Sequence, residues 1–591
     1  MTYKEKLLLI RQAMNNDGVY AYIIPSSDPH MSEYLPDRFK CLEFACGFTG
    51  SAGTLVITAK EANLWTDARY FVQATEQLER TGYKLMALHA QGVPEYIQWL
   101  SGNMEHGASV AFDGKLVSFQ LAELIKTELN GLNANIVSDK DYLEAIWINR
   151  PALPQKPAYL IDELIAGENV IDKLIKVRAF LKNMRADYHL ISSLDDLAWL
   201  FNIRGSDVKC NPVTLAFALI SHDKAIIFIE LSKIKEEDRS YLSDSGVSIS
   251  SYNDIYTVVK SIASGSIFID PKRTCFELVQ QINASVKVIQ GTNPTTNLKA
   301  IKNLVEIENT RKTMIKDGVA LTRFFKWLEE AVNSGQLTEI SVAKILLGFR
   351  EEQAGFVGES FDTISAYREH GALPHYKATT QSSTELKPEG LFLLDSGGQY
   401  IGGTTDVTRV ISLGNATDEE KTDYTLVLKG MIEGCSAIFP KGTRGYQIDA
   451  ITRKPIWDQA RNYGHGTGHG VGYFLNVHEG PHVFNTAAIP VDIEPGMITS
   501  IEPGIYRPGK YGIRIENLVL SVKDQINEFG EFYAFEALTL AVIDTGLVMS
   551  ALLEQRHIDW LNQYNQQVVE KLSGYLDSEE LKWLTNKARP I

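Results

Sequence analysis

The 591-residue chain contains only five cysteines, Cys41, Cys46, Cys210, Cys275 and Cys435, and no two of them stand in CxxC spacing. An odd, scattered set builds neither a disulfide framework nor a structural zinc site, so reduced thiols and a cytoplasmic setting are expected. Basic clusters are missing as well: 58 Lys and Arg against 73 Asp and Glu leave a net charge of -15, with no Lys/Arg-rich run. That argues against a nucleic-acid binder, whose affinity comes largely from neutralising phosphates. No apolar run is long enough to span a bilayer, and no membrane partner is expected. The opening residues MTYKEKLLLIRQAMNNDGVY meet charge early and show a helical amphipathic period in place of a signal-peptide core. Low-complexity tracts are absent too, and 44% hydrophobic with 22% charged residues is ordinary for a globular protein. At ~100–200 residues per domain the length implies three or four domains.

What is present begins with an internal repeat. Lys6–Asp28, KLLLIRQAMNNDGVYAYIIPSSD, aligns without gaps on Lys173–Asp195, KLIKVRAFLKNMRADYHLISSLD, matching Lys6 to Lys173, Arg11 to Arg178, Asn16 to Asn183, Ser26 to Ser193 and Asp28 to Asp195. Both copies read as an amphipathic helix, a strand and a Ser/Asp turn, so two related α/β domains in tandem are expected. The proline-rich NRPALPQKPAYLI is the expected linker. A third region opens with the helical pattern LVEIENTRKTMIKDGVALTRFFKWLEEAV and runs through strand-like segments to about residue 545. Two amphipathic helices, in SALLEQRHIDWLNQYNQQVVEKL and SEELKWLTNKARPI, close the chain.

The stretch GHGTGHGVGYFLNVHEGP, Gly464–Pro481, sets three histidines among six glycines. His465 and His469 stand four apart, as two zinc ligands do on a metalloprotease helix. Yet the glutamate such a helix needs is a glycine here, and each intervening glycine would cost a helix roughly 1 kcal/mol against alanine. Strand or loop is therefore expected, with backbone passing close to something. Upstream, LFLLDSGGQYIGGTTDVTRVI reads as a β-hairpin in which Asp395 ends the first apolar run and Asp406 begins the second. Side by side, two carboxylates raise one another's pKa unless a cation lies between them. Glu502 in SIEPGIY follows an apolar approach, and Glu516 in GIRIENLVL follows Ile515 within an expected inner strand, where a lone charge is costly. Four carboxylates and His469 make a donor set suited to manganese, cobalt or zinc. Their -4 is balanced by two divalent cations and left uncompensated by one.

LPHY, DSGGQYIGGTTD, HGTGHGVG, VHEGP, SIEPG and RIEN occur in this order and resemble the pita-bread metallopeptidases, and within them the long three-domain Xaa-Pro aminopeptidases. GFTGSAGTLVI, LWTDARYF, DDLAWLFNIRGSDVKCNPV and HIDWLNQY extend the resemblance along the chain. It implies two creatinase-N-terminal-like α/β domains (1–155 and 156–307), a pita-bread catalytic domain (308–530) and a mostly helical extension (531–591) packed on the catalytic domain or a dimer partner. It further implies two divalent metals, manganese first with zinc or cobalt as alternatives. Asp395 and Asp406 would hold one metal, His469 and Glu502 the other, with Asp406 and Glu516 bridging. Glu502 would also take the proton of the nucleophilic water, His375 and His478 would line the substrate cleft, His465 would stand behind the metals or beside the substrate, and Arg514 would buttress the carboxylates. The implied activity is removal of the first residue from peptides with proline second, by a homodimer. A dipeptidase acting on Xaa-Pro is the alternative, and a metal-free peptide-binding relative the more distant one.

Overall fold

The structure, a computed structural model, describes residues 1–89 and 92–591. The chain divides into two compact units, one of residues 1–162 and 168–296, the other of residues 163–167 and 297–591.

The first unit carries two six-stranded sheets with one topology. Across the first sheet the strands run Lys84–Ala87, Ala62–Thr66, Thr54–Thr58, Ala21–Pro25, Ser109–Phe112 and Asn135–Val137. Across the second they run Val247–Ser250, Ala225–Ile229, Ala216–Ser221, Tyr188–Ile191, Ser266–Ile269 and Lys287–Gln290. In both, the strand that follows the leading helix (Tyr3–Asn16 or Val170–Met184) lies antiparallel to the next strand in sequence and parallel to the fifth. The residues matched in the sequence repeat do matching work. Lys6 Nζ donates to the Phe44 carbonyl at 2.7 Å and Lys173 Nζ to that of Trp199 at 2.9 Å. Arg11 and Arg178 donate to the last carbonyls of equivalent strands, Thr58 at 2.8 Å and Ser221 at 3.1 Å. A buried carbonyl at a strand end needs a donor, and the same long cation supplies it twice.

The second unit begins with the helix Leu304–Ala331, started by a capping box in which the Asn303 side chain accepts from Glu306 N–H and the Glu306 carboxylate from Asn303 N–H. Its centre is mostly antiparallel. The strand Leu391–Ser396 lies between Ile364–Tyr367 and Val407–Ser412, and Asn517–Asn527 lies between Ile498–Ile501 and Gly530–Ala537. The helix Asp418–Cys435 buries Tyr424, Val427, Met431 and Ile432 in the same core as Ile498, Ile501, Leu518 and Leu520. After residue 530 the chain therefore starts as a strand of this sheet and turns helical later, in Gln555–Leu572 and Ser578–Lys587. These tail helices pack on the core of the second unit through Leu561, Tyr564, Val568, Leu572 and Leu584. Among the described residues no helix is long and apolar enough to cross a membrane.

Candidate metal centre

The expected hairpin is present but interrupted. Leu391–Ser396 pairs with Val407–Ser412, placing Asp395 opposite Thr408, and a short second pairing of Gln399–Tyr400 with Gly403–Thr404 forms the tip. Asp406 falls in the break before Val407. Glu502 likewise lies between the strands Ile498–Ile501 and Gly504–Arg507, and Glu516, expected inside one strand, lies between Tyr511–Arg514 and Asn517–Asn527. His469 ends the two-residue strand Gly468–His469. The acidic donors thus sit at strand ends or breaks, where the ladder yields and side chains from several strands can turn to one point.

At that point Asp406, His469 and Glu516 each offer a donor atom within 4.8 Å of the others. His469 Nε2 stands 3.4 Å from Asp406 and 3.7 Å from Glu502. Its ring is oriented by the contact of Nδ1 with the Gly470 carbonyl at 3.0 Å, which leaves Nε2 facing the carboxylates. Glu516 receives a hydrogen bond from Thr408 Oγ1 at 2.8 Å, and Arg514 Nη2 reaches Asp395 at 2.5 Å. Glu516 and Asp406 are 1% and 5% exposed, so their charges are nearly out of water. Burial first, and then repulsion, from Asp395 and Glu502 on Asp406 and from Asp406 and Asp395 on Glu516, holds both carboxyls far above the ordinary range. Glu502 is pushed up to about 8 by loss of water and by Glu516.

Cations fit this arrangement. Asp395 Oδ1 and Glu516 Oε1 are buried and receive no hydrogen bond, a costly state for carboxylate oxygen. Arg514 offsets one of the four carboxylate charges, and two divalent cations would offset the remainder.

The histidines take distinct places. His478 packs edge-on against His469, ring centroids 4.3 Å apart at 78°. His375 lies in a turn whose preceding residue, Pro374, offers its carbonyl to Arg514 at 3.4 Å. His465 stands back: its Nε2 meets Tyr506 Oη at 2.7 Å, and Tyr506 accepts from Arg514 Nη1 at 2.8 Å. A chain His465–Tyr506–Arg514–Asp395 thereby sets the position of one carboxylate.

Comparison with known proteins finds matches along the whole chain. Residues 308–523 match Metallopeptidase family M24, residues 6–145 and 149–306 each match a Creatinase/Prolidase N-terminal domain, and residues 531–591 match the C-terminal region of peptidase M24. A Neurospora crassa protein named "Probable Xaa-Pro aminopeptidase P" is 38% identical over 99% of this chain and 89% of its own. One of the same name from Sordaria macrospora is 38% identical over 99% of both. The chain belongs to metallopeptidase family M24. The crystal structure of X-prolyl aminopeptidase from Caenorhabditis elegans, described as a cytosolic enzyme with a di-nuclear active site, covers 100% of both chains at 35% identity and a TM-score of 0.95. Xaa-Pro dipeptidase from Bacillus anthracis covers 63% of this chain and 98% of its own, at 25% identity and a TM-score of 0.51.

Several residues that shape this M24 site carry no motif signal. Thr408 and Tyr506 are ordinary strand residues until the register places them beside Glu516 and Arg514. Arg409, next to Thr408, donates to the Glu516 carbonyl at 2.5 Å and to Tyr564 Oη on the tail helix at 2.8 Å, so the C-terminal helices brace the metal-site strands. Two of the glycines meet the close approach expected of this stretch, and what approaches is the protein's own chain. A Cβ on Gly468 would stand 1.8 Å from the Ser500 carbonyl, and one on Gly470 would stand 2.1 Å from the Glu479 carbonyl and 2.6 Å from the His482 ring. They admit neighbouring protein segments, which draws His469 and Glu502 together.

His482 supplies a pH test. Its ring is buried, with Nε2 at 2.9 Å from the Ile498 carbonyl, and burial pushes its pKa down to about 4. A depressed histidine gives its full stabilisation above the unfolded value near 6.5, and loses it as pH falls through the folded value. Between those limits the loss should approach about 3 kcal/mol at 1.36 kcal/mol per unit. Acidifying from about pH 7 to about pH 4.5 should therefore lower the melting temperature more in the wild type than in His482→Gln. Equal losses would remove His482 from the account.

Proposed function

We propose that the chain removes the N-terminal residue from peptides whose second residue is proline, as a metal-dependent aminopeptidase. The observation that carries this is the end-to-end match to X-prolyl aminopeptidase, against a dipeptidase match that stops at 63% of the chain. The clustered donors support the metal dependence.

Asp395 and Asp406 would hold one divalent ion and His469 and Glu502 the other, with Asp406 and Glu516 shared. Manganese is the first choice, zinc and cobalt the alternatives, because oxygen donors outnumber nitrogen four to one. Bound there, such ions lower the pKa of a coordinated water toward neutrality and polarise a carbonyl oxygen. Glu502, at the edge of the cluster with its carboxylate 3.7 Å from His469 Nε2, would accept the proton of the attacking water and deliver it to the proline nitrogen. His478, whose ring packs against His469, would donate to the carbonyl oxygen as negative charge grows on it, a contribution often worth about 3–4 kcal/mol. His375 would orient the proline side of the peptide. Proline has no N–H to offer in a peptide, so a site that packs its ring loses nothing to the missing donor. The working assembly is proposed as a cytoplasmic homodimer.

The deciding assay uses metal-stripped protein, with manganese, zinc or no metal, on Arg-Pro-Pro and Ala-Pro, following release of the first residue. Metal-dependent cleavage of the tripeptide with the dipeptide nearly inert is the expected result. Preference for the dipeptide would make the protein a dipeptidase, and inertness toward both with every metal would leave a peptide-binding protein. In the active enzyme, Tyr506→Phe removes the bridge between His465 and Arg514 and should lower kcat/KM by roughly 10–100-fold, the usual effect of losing an outer partner of a metal ligand. Unchanged kinetics would show that Arg514 holds Asp395 unaided.

A further inference from the structure

Glu479, in the same stretch as the site histidines, has no part in the chemistry above, yet it is among the most costly residues in the unit to bury. Its side chain is fully buried, with Oε1 2.5 Å from Lys302 Nζ and Oε2 3.3 Å from Lys299 Nζ; the two lysine side chains are 0% and 1% exposed. Taking three charges out of water is expensive, and removing one partner leaves the others stranded. Such a cluster tolerates little displacement.

The segment is pinned upstream by Val471 N–H donating to the Ile498 carbonyl at 3.0 Å and by Gln399 donating to the Leu475 carbonyl at 2.7 Å, and the cluster adds a tie at the residue next to His478. Between the two-residue strands Gly468–His469 and Val483–Phe484 the chain forms no helix or strand. Glu479 is instead tied on both sides. Its N–H donates to the Gly470 carbonyl at 2.8 Å, and its own carbonyl packs into the space a Cβ on Gly470 would take. Lys302 is anchored in turn, its N–H donating to the Gly496 carbonyl at 2.9 Å. Gly470 follows His469 and Glu479 follows His478, so the tie fixes one histidine relative to the other.

The geometry points to Glu479, clamped by Lys299 and Lys302, as a positioning residue that holds His478 at the scissile carbonyl. This rests on the aminopeptidase reading. Misplacing a catalytic group by about 1 Å can cost roughly 10²-fold. That loss should fall on kcat, because an interaction made in the transition state is what is lost.

The experiment is steady-state cleavage of Arg-Pro-Pro by the full chain loaded with manganese, with bound metal measured on the same samples. Glu479→Gln should lower kcat by roughly 10²-fold with KM and metal content unchanged. In a His478→Ala background the same change should add little, since two alterations of one unit are not additive. Lys299→Met removes the longer contact and should give the same pattern in smaller measure; it serves where Glu479→Gln does not fold. An unchanged kcat, a fall in bound metal that tracks the lost activity, or an equal further loss on top of His478→Ala overturns the assignment. A wild-type protein inert toward the peptide overturns the aminopeptidase reading itself.

Discussion

Asp406→Asn should make the metal-free protein harder to melt and the metal-loaded protein inactive. In the metal-free state Asp406 is buried beside Asp395, Glu502 and Glu516, so its charge is opposed both by loss of water and by its neighbours. An amide of the same shape removes that opposition. A gain on the order of 1 kcal/mol would raise the midpoint by about 2 °C for a unit of this size. With metal the order reverses. Each ion at about a thousandfold over its Kd adds about 4 kcal/mol to the wild type, and a variant without the shared carboxylate forgoes much of it. Cleavage of Arg-Pro-Pro should fall by at least about 10³-fold, since losing only an outer partner costs about 10–100-fold.

The same charges set the pH response of the metal-free wild type. A carboxyl with a raised folded pKa stabilises fully below its ordinary value of 4.5 and loses that stabilisation as pH rises through the folded value, about 8 for Glu502. Calorimetry with and without manganese, on either side of that pH, reads both effects. A metal-free Asp406→Asn that melts below the wild type, or one that metal still protects fully, would show that Asp406 is not at the centre of the site.

Much of this site is legible in the sequence because the chemistry confines it to rare residue types at telling positions. Asp395 and Asp406 flank a glycine-rich turn, and Glu502 and Glu516 each follow an apolar approach; charges in such places need a partner. The histidines in the glycine stretch can be assigned to strand or loop, since glycine excludes the helix. The glycines announce a close approach but not its object: only the folded register shows Gly468 against Ser500 and Gly470 against Glu479. Thr408, Arg409 and Tyr506 are silent for the same reason. Each meets a partner that the register or the tertiary fold alone supplies, and nothing in a threonine's or a tyrosine's own type reveals a hydrogen bond to a residue about a hundred positions away, as between Thr408 and Glu516. The repeat of the first unit is readable because helix, strand and turn recur in order, and Lys6 and Arg11 stay matched to Lys173 and Arg178 where each repeats one contact.

Glu502→Gln separates holding a metal from moving a proton. Glu502 lies on the rim of the cluster: its N–H donates to the Thr467 carbonyl at 2.7 Å, and its carboxylate is 3.4 Å from Ser500 Oγ and 3.7 Å from His469 Nε2. Glutamine keeps the side-chain shape and a carbonyl oxygen for the ion, yet cannot take a proton near neutral pH. If Glu502 is the acceptor for the attacking water, kcat on Arg-Pro-Pro should fall by about 10²–10⁴-fold, the range general acid–base catalysis contributes. KM should stay near the wild-type value, because the lost interaction belongs to the transition state. Saturating manganese should not restore the rate. A rate recovered by added metal would reduce Glu502 to a ligand, and an unchanged rate would hand the proton to another group. The buried Arg514 stands 3.9 Å from Glu502 and 2.5 Å from Asp395, so it would hold both carboxylates in place while the proton moves.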